Sequence, residues 1–197
     1  MAAHAGRRRM SAADRREQIL DVAHRIVVDE GFTAATPTRI AAAADVHRSL
    51  LYQQFGDVPG LFVALIERER SRAAQQFAAA VAGAAGRGAA RLSAVLAAMI
   101  GAVDDAPDTW RLFLVPPEGA PPEYHAQLAA SQAVVQQYLT ATLAGLGPEL
   151  VRDPELTARV LQAAGREVLQ FRLLDPESAT TERLLAFAAR AATAFPG

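Results

Sequence analysis

The chain has 197 residues, of which 51% are hydrophobic and 6% aromatic, and its formal net charge is −1. This composition suits one ordinary domain, or a small module joined to a larger one, with a mainly aliphatic core. The absence of cysteine excludes disulfides, thiolate metal sites and cysteine nucleophiles. Because the net charge is nearly zero, we expect no long-range attraction to nucleic acid or anionic lipid, so any such binding has to be local.

The first ten residues carry three consecutive arginines, Arg7, Arg8 and Arg9, but no apolar run. They are interpreted as a disordered basic arm, equally consistent with a solvated tail and with a segment that touches phosphates. The arm lacks the apolar region of a secretory signal. No uninterrupted apolar stretch approaches the roughly eighteen residues that a membrane span needs. We therefore expect a soluble, cytoplasmic protein with no membrane partner.

Three helices are predicted at the N-terminus. From Ser11, apolar residues at i, i+3 and i+4 spacing predict an amphipathic helix that Gly31 closes. Thr36 and Pro37 then give the clearest start signal in the chain, since threonine can cap a helix and proline is favoured at its first position. A third helix over residues 47–55 follows with almost no linker, as in a helix-turn-helix.

The remaining chain is predicted to hold about six further helices. Four acids are expected to cap helix starts: Asp57, Asp108, Asp153 and Asp175. Residues 83–88 break one helix, and the proline-rich residues 115–123 form a rigid connector. No segment alternates with period two, so the sequence predicts an all-α fold of about nine helices.

Residues 31–65, GFTAATPTRIAAAADVHRSLLYQQFGDVPGLFVAL, resemble the DNA-binding domain of the tetracycline-repressor-like (TetR) family. The positions that match without a gap are Gly31, Phe32, Thr36, Ile40, Ala41, Ala44, Val46, Leu51, Tyr52, Phe55, Asp57 and Leu61. The resemblance implies a homodimeric transcriptional regulator, a repressor released from operator DNA by a small hydrophobic ligand. It divides the chain into the arm (1–10), a helix-turn-helix domain (11–57) and an effector-binding and dimerisation domain (58–197), with dimerisation through the last two helices.

The resemblance places the second helix across the DNA backbone and the third in the major groove. The predicted DNA-binding residues are Thr36, Thr38, Arg39, His47, Arg48, Ser49, Leu50, Tyr52 and Gln53. Arginine can pair with guanine and glutamine with adenine, whereas Tyr52 resembles the family's phosphate-contacting tyrosine. The alternative for these side chains is an ordinary solvated polar face.

Three residues depart from the family pattern. His47 stands where a small hydroxyl residue usually caps the third helix, so the cap is either weaker or supplied by Asp45. Asp45 itself replaces a common glycine, and Val58 replaces a frequent lysine. Residues 1–55 nevertheless hold eight arginines and six acids, a mildly basic balance that predicts few phosphate contacts per protomer.

The effector pocket is expected among the fourth to eighth helices. Its candidate lining residues are Met99, Trp110, Phe113, Tyr124, Tyr138, Arg166, Gln170 and Phe171. Such residues are more often part of a core, and Arg166 could equally form a surface ion pair. We expect no catalytic residues, metal or cofactor, because the four histidines lack metal-ligand spacing and no nucleophile or phosphate-binding motif is present. The alternative function is a helical small-molecule-binding or interaction protein with a degenerate DNA-binding face.

Overall fold

The structure, a computed structural model, describes the backbone of residues 11–194 and the side chains of residues 11–190. The predicted basic arm lies outside the described residues. Within them the fold is all-α, as predicted, with nine helices and a 3-10 turn at Phe32–Ala34. The helices are α1 (Ala12–Glu30), α2 (Pro37–Ala43), α3 (Arg48–Phe55), α4 (Val58–Gly83), α5 (Gly88–Asp105), α6 (Pro107–Leu114), α7 (Pro122–Ala144), α8 (Pro154–Leu174) and α9 (Thr181–Ala194). None of the described helices is long and apolar enough to cross a bilayer.

Local capping sequences set most of the helix starts. Ser11 accepts a hydrogen bond from the Asp14 amide at 3.0 Å, and the Asp14 carboxylate bonds back to Ser11, which completes a capping box. Asp57 caps α4 through the Gly60 amide at 2.7 Å, as predicted. Asp153 caps α8 in the same way.

Two of the predicted caps are wrong. Helix α6 begins at Pro107 with Ala106 at the capping position, so Asp108 lies in the first turn, where its charge still suits the helix dipole. Asp175 ends α8, and its carboxylate accepts from the Ser178 amide at 3.1 Å. Aspartate followed by proline also favours a turn, and here a turn separates Asp175 from α9.

One hydrophobic cluster, called here the N-terminal core, joins the first three helices to the rest of the chain. Its members come from α1, α2, α3, the 3-10 turn, the first half of α4, and also α6 and α7. They are Ile19, Leu20, Val22, Ala23, Ile26, Val27, Phe32, Ala35, Ile40, Ala41, Ala44, Leu51, Leu61, Leu65, Ile66, Leu112, Phe113 and Tyr124. Because the apolar surfaces of α6 and α7 are buried here, the orientation of the first three helices depends on where α6 and α7 lie.

A second cluster, called here the regulatory core, fills the space between α4, α5, α6, α7 and α8. Its buried residues are Ala80, Ala84, Val95, Met99, Ala102, Val103, Trp110 and Leu114. Phe77, Tyr138, Leu169 and Leu173 pack against them.

A buried polar junction also links α1, α4 and α6. Glu69 of α4 is fully buried and accepts hydrogen bonds from Arg68 and Arg72 on its own helix and from Thr109 of α6 at 2.5 Å. His24 of α1 lies 3.6 Å from the same carboxylate, and its Nε2 is 3.1 Å from the carbonyl oxygen of Asp108. Since a carbonyl oxygen only accepts, Nε2 carries a hydrogen. The carboxylate is thus compensated by donors from α4 and α6, with the imidazole of α1 beside it.

Candidate DNA-binding surface and regulatory core

Helices α2 and α3 are joined by a tight turn of the helix-turn-helix kind. Asp45 in this turn has φ of 52°, the left-handed region where the family pattern has glycine. Aspartate reaches this region at lower cost than most residues, so the substitution preserves the turn. The Val46 amide bonds to the Ala41 carbonyl at 3.0 Å, and Gln18 of α1 donates to the Ala44 carbonyl at 3.1 Å. The angle between the two helices is therefore held from inside the turn and from α1.

Helix α3 turns its apolar residues inward and its polar residues toward solvent. Leu51 is buried, whereas Arg48, Ser49 and Gln53 are exposed. Leu50 differs from the expectation of an exposed residue, since it is half-buried against the N-terminal core. Consecutive helical residues point about 100° apart, so a wide apolar face includes both leucines.

The start of α3 lacks a side-chain cap from the residue at the capping position. His47 occupies that position and is exposed, but its imidazole makes no capping hydrogen bond. Replacing a hydroxyl or amide cap costs about 0.5–2 kcal/mol in ordinary helices. His47 therefore does not replace the hydroxyl cap of the family pattern, while its exposed imidazole stays on the same surface as Arg48.

Tyr52 presents its hydroxyl on this surface. The side chain is 41% exposed, and Arg48 donates to Tyr52 Oη at 3.3 Å from one turn earlier. Because the phenol oxygen accepts from Arg48, its own hydrogen is left to donate to another group. Arg48 and Tyr52 thus act as a pair in which arginine orients the hydroxyl.

The start of α2 adds a second polar group of residues. Thr36 caps the helix by accepting from the Arg39 amide at 3.4 Å, and Thr38 is exposed beside it. The Arg39 guanidinium is paired with both carboxylate oxygens of Glu30, one of them at 2.7 Å. Hydrogen bonding to Arg39 lowers the pKa of Glu30 and raises the pKa of Arg39. The positive charge of Arg39 is therefore compensated in the free protein, which sequence reasoning missed.

Arg16 of α1 is a further residue that sequence reasoning missed. Its guanidinium donates to the carbonyl of Gln54 at 2.6 Å and lies 4.2 Å from the centre of the Phe55 ring. It therefore secures the C-terminal end of α3 against α1 by a hydrogen bond and a cation–π contact. The two partners are 38 residues apart, so no local pattern announces the contact.

The predicted ligand-binding residues are divided among different parts of the structure. Met99, Trp110 and Tyr138 come together in the regulatory core. Phe171 packs in a third cluster with Ile100, Ala179 and Leu184. Arg166 is exposed and Gln170 half-buried on α8. Phe113 and Tyr124 lie in the N-terminal core instead, where the Tyr124 ring stacks on Phe113 and meets Phe32 at a centroid distance of 6.0 Å.

Tyr124 has a structural task that explains its burial. Its hydroxyl donates to the carbonyl of Leu112 at 2.6 Å. In an α-helix that carbonyl would receive the amide of residue 116, but Pro116 has no N–H. The phenol therefore satisfies a carbonyl that the proline leaves without its helical donor. Burial raises the pKa of Tyr124 to about 12.

Tyr138 is half-buried, and its hydroxyl oxygen is buried without such a partner. Its ring meets Phe77 edge to face at a centroid distance of 5.7 Å, and its hydroxyl oxygen has no hydrogen-bond partner within the described residues. Trp110, by contrast, donates from its indole nitrogen to Gln76 at 2.8 Å. The regulatory core thus contains an aromatic surface with an unused hydroxyl.

A cleft of about 480 Å³ opens between α4 and α6, lined by Arg72, Gln75, Gln76, Ala79, Ala106 and Thr109. The described residues contain no group of three or more histidines, cysteines or acids that could hold a metal ion.

A three-helix unit with a tight α2–α3 turn and an exposed polar face on α3, joined to a larger helical part, defines a helix-turn-helix DNA-binding regulator. Residues 19–65 match the family model for bacterial regulatory proteins of the tetR family. Residues 19–65 are therefore a tetR-family DNA-binding domain, and the fold of the chain is that of TetR-like transcriptional regulators. The resemblance read from residues 31–65 is confirmed.

The fold as a whole is similar to solved structures. A TetR-like regulator from Rhodococcus sp. RHA1 is 26% identical with a TM-score of 0.73, over 94% of this chain and 99% of that chain. A putative transcriptional regulator from Pseudomonas aeruginosa PAO1 is 21% identical with a TM-score of 0.75, over 94% and 91% of the two chains. AibR in complex with isovaleryl coenzyme A and operator DNA is 19% identical with a TM-score of 0.70, over 92% and 98%. No curated protein matches the chain.

Proposed function

We propose that this protein is a dimeric repressor that binds operator DNA through α2 and α3 and releases it when a small apolar molecule enters the regulatory core. The DNA-binding part of this proposal rests on the orientation of α3, which buries Leu51 and exposes Arg48, Ser49 and Gln53. AibR, which has a similar fold, forms a complex with both operator DNA and an acyl-coenzyme A. The DNA-binding unit comprises residues 11–57 together with the first half of α4, and the rest is regulatory.

Base reading is assigned to Arg48 and Gln53, with Ser49, His47 and the edge of Leu50 beside them. Arginine can donate twice to guanine and glutamine can pair with adenine, and each such contact discriminates by roughly 1–3 kcal/mol. Phosphate contact is assigned to the Tyr52 hydroxyl and to the start of α2, where Thr36, Thr38 and Arg39 lie. Helix N-termini add backbone N–H groups for phosphate.

The DNA-binding half is tested by selecting duplexes from a random pool with the full-length protein and measuring affinity against scrambled DNA over a salt series. We expect Arg48→Ala to relax base preference and Tyr52→Phe to weaken binding to all duplexes equally. Arg87→Ala, which removes an exposed arginine in the α4–α5 turn, is the matched control. Equal losses on selected and scrambled DNA for Arg48→Ala would refute its base-reading role. No selective binding at low salt would instead support the alternative, a helical ligand-binding protein.

Dimerisation is assigned to α8 and α9. Large apolar side chains are exposed on these helices in the single chain: Leu156, Val160, Leu161, Leu174 and Phe187. Such a surface is typical of an interface, and two recognition helices need a partner to meet DNA half-sites about 34–36 Å apart. We expect Val160→Asp to give a monomer in light scattering, and Val63→Asp, a similarly exposed position on α4, to leave a dimer. A monomeric wild-type protein at micromolar concentration would contradict the assignment.

The effector is assigned to the regulatory core, where Met99, Trp110 and Tyr138 meet. This environment is aliphatic and aromatic, and the Tyr138 hydroxyl oxygen is buried there without a partner among the described residues, so it suits a neutral apolar molecule with one hydrogen-bonding group. Helix α8, which carries Leu169 of this core, also carries Arg166, Gln170 and Phe171. Phe113 and Tyr124 belong to the N-terminal core, so we assign them an indirect role in the effector response.

Because Trp110 is the single tryptophan of the chain, its fluorescence reports on this core directly. We expect 1-decanol to change the emission and to lower DNA affinity, with Tyr138→Phe weakening the response. An equal response to decanoate, or none to either probe, would overturn the proposed effector chemistry.

A further inference from the structure

The proline-rich connector between α6 and α7, residues 115–121, lies against the 3-10 turn that joins α1 to α2. The backbone amide of Phe32 in that turn donates to the carbonyl of Glu118 in the connector at 2.8 Å. This is a main-chain bond between the regulatory part of the chain and the DNA-binding unit, 86 residues apart in sequence. The continuous helix α4 is the covalent link between the two parts, and it borders the contact, since the Phe32 ring meets Phe62 of α4 at a centroid distance of 5.1 Å.

The contact requires glycine on both sides. Gly31 has φ of +86°, and a Cβ atom there would lie 2.8 Å from the Glu118 carbonyl oxygen. Gly119 has φ of +68°, and a Cβ atom there would lie 2.6 Å from Thr33 Cγ2. Both distances are shorter than real Cβ contacts allow, so Gly31 meets the backbone of Glu118, and Gly119 meets the side chain of Thr33, only because neither glycine has a side chain.

The connector is tied to α6 and α7. Prolines at 116, 117, 121 and 122 fix the φ angles at both of its ends. Tyr124 at the start of α7 bonds to Leu112 of α6 across the connector. The same ring packs against Phe32, on the other side of the contact. A displacement of α6 or α7 therefore moves the connector with it.

On the DNA-binding side the turn leads straight into α2. Thr36, the cap of α2, comes three residues after Thr33, and its own amide bonds to the carbonyl of Ala34 within the turn. Phe32 and Ala35 are buried in the N-terminal core, so the turn has little room to absorb a shift. A displacement at the connector is thus passed to the start of α2.

We propose that the α6–α7 connector is a strut that passes displacements of α6 and α7 directly to α2, as a second route between the regulatory core and the DNA-binding surface beside helix α4. The inference rests on the proposed function, since it assigns regulation to a part of the surface proposed to touch DNA. It makes Gly31, Thr33 and Gly119 regulatory residues although none of them is among the residues assigned to DNA or to the effector.

The test compares hydrogen exchange of full-length Gly119→Ala with that of the wild type. The added methyl group has to push Thr33 away, so exchange should rise about tenfold at the Phe32 amide and at the amides of residues 38–43 in α2, but not in α5. Gly147→Ala is the matched control, because Gly147 has φ of +87° and a Cβ atom there would meet nothing within 4 Å. It should leave exchange at Phe32 unchanged. Thr33→Ser removes the clashing Cγ2 atom, so Gly119→Ala combined with Thr33→Ser should return toward the wild type.

The strut proposal is contradicted if Gly119→Ala and Gly147→Ala show the same exchange rates. It is also contradicted if the faster exchange is confined to the connector, or if exchange in α5 rises by the same factor. Should Gly119→Ala not fold, native-state exchange of the wild type decides. The proposal then requires the Phe32 amide and the first bonded amides of α2 to open with the same free energy. Exchange does not depend on DNA binding, so failure of the DNA experiments with intact coupling would refute the proposed function and leave the strut standing.

Discussion

Two of the three tyrosines provide a matched pair for testing how the cores are built, because each loses a single hydroxyl on replacement by phenylalanine. Tyr124→Phe removes the donor to the Leu112 carbonyl, which Pro116 cannot replace. The carbonyl is then left buried without this donor, a loss of about 1–3 kcal/mol. Tyr138→Phe removes a buried hydroxyl oxygen that has no partner among the described residues. It should cost nothing, or stabilise by up to about 1 kcal/mol, since the desolvated hydroxyl disappears.

For a chain of this size, about 1 kcal/mol shifts the melting temperature by roughly 2–4 °C. We therefore expect Tyr124→Phe to melt about 4–8 °C below the wild type for a loss near 2 kcal/mol, and Tyr138→Phe to melt at or slightly above it. Circular dichroism at 222 nm measures both melting temperatures, at one protein concentration because the stability of the proposed dimer depends on concentration.

The comparison has a definite failing result. If both variants melted at the wild-type temperature, the Leu112 carbonyl would not need its phenol donor. The unpartnered hydroxyl of Tyr138 would then carry no desolvation cost. A loss for Tyr138→Phe alone would place an essential hydrogen bond in the regulatory core and remove the argument for a ligand partner there. Tyr52→Phe serves as the surface control, since Tyr52 is 41% exposed.

Three further measurements follow from charges and pKa values. Glu30→Gln frees Arg39 for phosphate, so the slope of log affinity for DNA against log salt concentration should steepen by about 0.9 per protomer. Glu155→Gln on α8 should not change this slope. An unchanged slope for Glu30→Gln would exclude Arg39 from the DNA interface. Burial lowers the pKa of His24 below its ordinary 6.5, and Glu69 opposes this. The stability His24 contributes is therefore present above pH 6.5 and is lost as the pH falls from there toward the folded value. Urea unfolding should show a flatter acid limb for His24→Gln, and parallel limbs would disprove the linkage. Finally, absorbance at 295 nm should show an ionisation near pH 12 that Tyr124→Phe abolishes, and its persistence would assign that pKa to another group.

The parts of the fold that could be predicted from the sequence are those set by local contacts. The Ser11–Asp14 capping box and the Thr36–Pro37 start involve residues at most three apart, so their pattern and their geometry coincide. The same local signal misleads when two structures share it. The acid before or near a proline at Asp108 and Asp175 fits a helix cap, a first turn and a reverse turn alike.

The contacts that could not be predicted join residues far apart in the chain. Glu30 reaches Arg39 across the 3-10 turn, and Arg16 reaches Gln54 over 38 residues. Neither spacing corresponds to a helical repeat. Aromatic composition also does not say which of two adjacent cores a ring will join, which is why the sequence groups Tyr124 with Tyr138 although Tyr124 lies against Phe32.

The modest charge of the DNA-binding surface gives these long-range contacts their importance. On the proposed function, a surface in which Arg39 is already paired and Val58 stands in place of a basic residue should gain little from counterion release, so we expect its affinity to depend on the accuracy with which α3 is placed in the groove. That placement is determined by the Asp45 turn, by Arg16 at the end of α3, and by contacts with α6 and α7. A displacement of α6 and α7 that would be tolerated by a strongly basic surface should therefore be sufficient to release DNA from this one.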